Sequence, residues 1–101
     1  MRKLEISRQS EIELIQIRKY TSESWGQQQS DKYLTELQNT MFLLQENPYL
    51  GFKRFTISDG VYSFPHIRHM IYYKFDNEKL YIMAILHQSM LPKNHLKERI
   101  K

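Results

Sequence analysis

Between Ser7 and Pro48 the chain carries two runs of helical apolar spacing with a single glycine between them. Leu14, Ile17, Thr21 and Trp25 recur every three or four residues, with Ile15 beside them, and the run stops at Gly26. Leu34, Leu37, Met41 and Leu44, flanked by Tyr33, repeat the pattern over residues 27–46. Spacing of this kind puts one apolar stripe on each helix. Glycine takes the left-handed position that ends a helix without a steric penalty. A link this short turns the second helix back along the first, so an antiparallel helical hairpin is expected. Asn47-Pro48 stops the second helix, because proline disfavours helical geometry in the residue before it. The first helix has two candidate starts three residues apart. Ser7 offers an N-cap hydroxyl, and Ser10-Glu11-Ile12-Glu13 fits a capping box.

The rest of the chain reads as strands. Lys3 to Ser7 alternates, with Leu4 and Ile6 on one side and Lys3 and Glu5 on the other. After Gly51 come Phe52 with Arg54 to Ile57, then Asp59-Gly60, then Val61 to Phe64, which read as two strands around a tight turn. Arg68 to Phe75 and Leu80 to His87 are rich in aromatic and β-branched residues, and Asp76-Asn77-Glu78-Lys79 joins them as a turn. The last strand is apolar enough to be central. The order β-αα-ββββ implies an α+β fold, a two-helix hairpin on one face of a mostly antiparallel sheet. The 101 residues have the length of one domain, with a basic tail opened by Pro92.

Composition excludes several function classes. No run of 18 apolar residues could span a membrane, and Met1-Arg2-Lys3-Leu4-Glu5 lacks the apolar stretch of a secretory signal. The absence of cysteine fits a reducing compartment, so a cytoplasmic location is expected. Charge is uneven. Residues 1–52 hold six Lys/Arg against seven Asp/Glu, whereas residues 53–101 hold nine against four. A basic second half suits an acidic partner, nucleic acid or protein; the plainer alternative is a solubilising surface.

No catalytic or metal motif stands out. His66-x-x-His69 has the look of half a metal site, but on one strand positions i and i+3 point to opposite faces, so no metal is expected there. The three glycines are isolated, so there is no phosphate-cradling loop and no cofactor is implied. Ser89 follows His87 without a nucleophile elbow. Glu11, Glu13, Asp59 and Asp76 read as helix surface or turns and make no paired carboxylates for acid–base work. Tyr62, Phe64, Tyr72, Tyr73, Phe75 and Tyr81 lie in expected strands, where core packing is the first reading and base stacking the second.

Several landmarks recur in a familiar order: Tyr20-Thr21-x-x-x-Trp25-Gly26, Gln29-Ser30-x-x-Tyr33, Asn47-Pro48-x-Leu50-Gly51, Tyr62-Ser63-Phe64-Pro65, Arg68-His69-x-Ile71-Tyr72-Tyr73, and Ile85-Leu86-His87-Gln88-Ser89-Met90-x-Pro92-x-x-His95-Leu96. Over nearly the whole chain this resembles the ParE branch of the RelE/ParE superfamily, the toxin halves of bacterial type II toxin–antitoxin modules. The resemblance implies a non-enzymatic toxin that binds DNA gyrase and blocks replication, neutralised by a cognate antitoxin whose C-terminal segment folds on binding. That segment would wrap the helical hairpin and a sheet edge, and operator DNA would be bound only through the antitoxin. RelE-like relatives are ribosome-dependent mRNA endoribonucleases, with basic residues on the sheet and a C-terminal tyrosine. Here His69 stands where they carry arginine, His87-Gln88-Ser89 replaces a basic cluster, and no tyrosine follows Tyr81. A nuclease and a non-toxic antitoxin-binding module are the alternatives. The candidate target contacts are the surface cations and histidines of the basic half: Arg68, His87, Lys93, His95, Lys97 and Arg99.

Overall fold

The computed structural model describes residues 2–99, so Ile100 and Lys101 of the expected basic tail lie outside it. Strand β1 (Lys3–Ile6) leads into helices α1 (Arg8–Trp25) and α2 (Gln27–Glu46). A single 3-10 turn (Pro48–Leu50) precedes β2 (Phe52–Lys53), β3 (Tyr62–His66), β4 (His69–Phe75) and β5 (Lys79–His87), and helix α3 (Pro92–Leu96) follows. The sheet order is β1-β5-β4-β3-β2. β1 runs parallel to β5, and every other neighbour is antiparallel.

Ser7, not Ser10, caps α1: the Ser10 amide donates to Ser7 Oγ at 3.0 Å. Ser10 is buried instead, its hydroxyl 3.3 Å from the Ile82 carbonyl of β5. Gly26, at φ 90°, is the whole link between the helices. Close approach beyond it is possible because the facing residues are small. The Thr21 and Ser30 hydroxyls are buried and 2.7 Å apart, and Arg18 meets Asp31 at 2.8 Å on the surface.

The helices cover one face of the sheet. Ile17, Leu37, Met41 and Leu44 pack on Ile71, Tyr73, Leu80, Ile82 and Ile85. The opposite face carries Val61, Tyr72, Met83, Ala84 and Leu86, covered by Ile57 from one side and Leu96 of α3 from the other. The strand aromatics Tyr62, Tyr72 and Tyr73 are core.

Two local expectations change. Residues 54–57 do not continue β2. The amides of Ile57 and Ser58 donate back to the Arg54 carbonyl, which coils the segment and delivers Ile57 to the second core. β3 also runs further than expected, to His66, and a two-residue turn, Ile67-Arg68, joins it to β4. His66 and His69 therefore sit on different strands, directly opposite each other, and share a face. The opposite-face argument fails because it assumed one continuous strand. Ile67 has φ 51°, the only positive φ of a non-glycine residue among the described residues. A β-branched residue there costs on the order of 1–3 kcal/mol.

Gly51 occupies a close approach. Its amide donates to Tyr73 Oη at 3.1 Å, and Tyr73 Oη donates to the Pro48 carbonyl at 2.6 Å. A Cβ on Gly51 would collide with the Tyr73 hydroxyl and lie 2.9 Å from the Ser63 carbonyl. Gly51→Ala is expected to cost about 2 kcal/mol through this overpacking. Urea unfolding of the variant measures it, and a loss below about 0.5 kcal/mol would mean that the tyrosine moves aside freely.

Candidate functional site

β1 pairs with β5 only as far as Ile82. Beyond that point the outer edge of β5 has no strand neighbour, and α1 and the C-terminal segment flank a groove of about 460 Å³. An open edge is a template for pairing with another chain. Here side chains blunt it. The Ile85 amide donates to Glu13 Oε1 at 3.0 Å, and the Met83 carbonyl accepts from Ser7 Oγ and Arg99 Nη1, each at 3.2 Å. Glu13 and Arg99 then close on each other at 2.9 and 3.2 Å, a two-pronged, charge-assisted pair. Their side chains are only 9% and 19% exposed.

Histidines form the other wall. His69 of β4 stands opposite His87 of β5, with ring centroids 5.6 Å apart and edge-on. His87 Nδ1 accepts from the Ser89 amide at 3.2 Å. Tyr33 of α2 lies beneath, its hydroxyl 2.6 Å from His69 Nδ1. With the single Tyr33 hydroxyl proton directed at the His66 carbonyl, the neutral imidazole meets this contact as the tautomer protonated on Nδ1. Burial, with smaller contributions from the neighbouring His87 and His66, lowers the His69 pKa to about 4. His66, 3.1 Å from Thr40 Oγ1 through Nδ1, is also lowered by burial, against the pull of Glu36. The His66 and His69 rings are therefore neutral at pH 7. Among the described residues no three histidine or acidic side chains are set to hold a metal ion.

Of the residues singled out from the sequence, His87, His95 and Arg99 line the groove. Arg68 does not; it sits at the tip of the β3–β4 turn, its guanidinium 5.1 Å above the Trp25 ring. Lys93 and Lys97 are exposed on the C-terminal segment away from the groove. Sequence reading missed Glu13, Tyr20, His69 and Met90 as groove residues. For Glu13 a signal existed: Ser10, Glu13, Ile17 and Thr21 recur every three or four residues and all are buried.

The arrangement is better suited to binding than to phosphoryl chemistry. Cleaving RNA needs cations at the developing phosphorane and a base for the 2′-hydroxyl. Arg99 is neutralised by Glu13, and His69 is a neutral, buried ring held by Tyr33. What the groove offers instead is apolar surface from Ile17, Ile85 and Met90 beside a strand edge.

A family model described as the ParE toxin of the type II toxin–antitoxin system parDE matches residues 4–92. Toxin ParE1 of Caulobacter vibrioides is 29% identical over 96 residues, spanning 95% of this chain and 99% of that protein. The structure of a chromosomal ParDE toxin–antitoxin system from P. aeruginosa shares the fold with a TM-score of 0.73, over 86% of this chain and 96% of that one, at 17% identity. Lys93, His95, Lys97 and Arg99 lie beyond the residues the family model matches. With that match running from β1 to the first residue of α3, the chain belongs to the ParE toxin family of type II toxin–antitoxin systems.

Proposed function

We propose that this protein stops growth by binding DNA gyrase, without chemistry of its own, and that a cognate antitoxin neutralises it in the cytoplasm. Family membership supports this reading of the target class. The observation that carries the binding mode is the Glu13–Arg99 pair, which neutralises the only Lys or Arg among the described groove residues. In this reading the target contacts are His87 and His95 on the groove rim and Arg68 at the adjoining tip, with Lys93 and Lys97 supplying attraction at longer range, while Arg99 is held by Glu13 and shapes the groove wall.

The antitoxin would take the outer face of the helical hairpin and the adjoining sheet edge. A second groove, of about 350 Å³, runs between α1 and α2 and is lined by Leu14, Ile15, Leu34 and Met41. Such a trough suits the apolar face of an amphipathic helix that orders as it docks. Operator DNA is then reached through the antitoxin.

Inducible expression tests the reading. Growth arrest with SOS induction, intact mRNA and loss of supercoiling by purified gyrase is expected, and co-expression of the antitoxin should abolish it. Arrest with cut transcripts and no SOS response would make it a nuclease. Growth without arrest, with folded protein present, would make it a binding module.

A further inference from the structure

The β3–β4 turn carries a cost that the fold does not explain. Ile67 holds a left-handed conformation that glycine or asparagine adopts freely, yet its side chain is 63% exposed and packs into neither core. Strained backbone with an exposed apolar side chain is the pattern of a contact residue. The turn is also fixed from several sides. The Arg68 amide donates to Tyr33 Oη at 3.4 Å, the Arg68 carbonyl accepts from the Gln88 amide at 2.8 Å, and Tyr33 Oη donates to the His66 carbonyl at 3.2 Å. Little ordering cost remains to be met when a partner docks.

The neighbours complete a binding surface. Arg68 lies over Trp25 and has no carboxylate within ion-pair distance among the described residues. Trp25 meets Tyr20 edge-on at 6.4 Å, and Tyr20 is 58% exposed. Met90, also exposed, lies two residues beyond Gln88, whose amide the Arg68 carbonyl accepts. Arg68 next to Ile67 in the turn thus leads into a Trp25–Tyr20 pair, and arginine, tryptophan and tyrosine are the side chains enriched at interface hot spots.

We infer that the Ile67-Arg68 turn is the specificity-determining contact with the toxin's target protein, Ile67 entering an apolar recess while Arg68 meets a carboxylate at its rim. The inference rests on the gyrase reading above and names the residues that carry it. The unpaired guanidinium and the basic second half of the chain both call for an acidic partner surface.

The test uses the full chain and purified gyrase. Ile67→Gly and Ile67→Asn relieve the strained position, and Arg68→Glu reverses the free charge. Thermal midpoint, affinity for the cognate antitoxin, and the concentration that half-inhibits supercoiling are measured for each. Both Ile67 variants are expected to melt no lower than the parent and to keep antitoxin affinity. Each should need on the order of tenfold more protein, or beyond, to inhibit gyrase. Arg68→Glu should lose at least as much inhibition. Ile67 variants that inhibit as well as the parent overturn the inference alone. So do Ile67 variants that lose antitoxin affinity in step with inhibition, since the turn would then serve the antitoxin. A parent that leaves supercoiling intact overturns the gyrase reading and this inference with it.

Discussion

Glu13→Leu should destabilise the protein by about 3 kcal/mol, lowering the thermal midpoint by roughly 10 °C or more. The carboxylate has two jobs. It accepts from the Ile85 amide, and it neutralises Arg99. Leucine leaves that amide without a partner and strands a guanidinium that is mostly out of water. The double variant Glu13→Leu, Arg99→Leu removes the unpaired charge and should recover a large part of the loss, although the Ile85 amide stays orphaned. A double-mutant cycle by urea unfolding isolates the coupling between the two side chains. A single variant within about 0.5 kcal/mol of the parent would show that Arg99 swings out to solvent at no cost.

Acid should be almost as damaging. His69 has a pKa of about 4 in the folded protein against 6.5 for the free side chain. A depressed histidine contributes its full stability above the unfolded value and loses it as pH falls toward the folded one. Stability should therefore decline from about pH 6.5 down to about pH 4, by about 3 kcal/mol from His69 alone. His66, lowered by burial, acts in the same direction, with Glu36 working against it. The groups facing His69 are His66, His87 and the Tyr33 hydroxyl, and the two histidines both disfavour a proton on His69. Urea midpoints at pH 7, 5.5 and 4.5, for the parent and for His69→Gln, measure the effect. The variant should show a visibly shallower decline; parallel curves would locate the acid sensitivity elsewhere.

The helical hairpin was legible because one glycine and one proline punctuate two clean apolar stripes. The strand count and the α+β order were legible from composition and alternation. The β3–β4 turn was not, because Ile67-Arg68 contains none of the residues that announce a hairpin. That one omission hid the shared face of His66 and His69. The groove was half legible. His87, His95 and Arg99 were singled out for charge and position, whereas Glu13 was dismissed as surface because a carboxylate is rarely inward. Its partner lies at the other end of the sequence, and local patterning carries no information about such a pair.

The parallel pairing of β1 with β5 sets the timing of folding. Lys3 finds its neighbour only when Lys79 exists, and Ile6 only when Ile82 does. Contacts between such distant positions form late, after the local hairpins, because the intervening loop must close first. At about 5–20 residues per second of synthesis, α1 and α2 emerge seconds before the strands they will cover. During that interval the apolar stripes of both helices are open while the groove and the β3–β4 turn have yet to be built. If the antitoxin docks on the hairpin as proposed, it can engage that surface before the toxin is competent to reach its target.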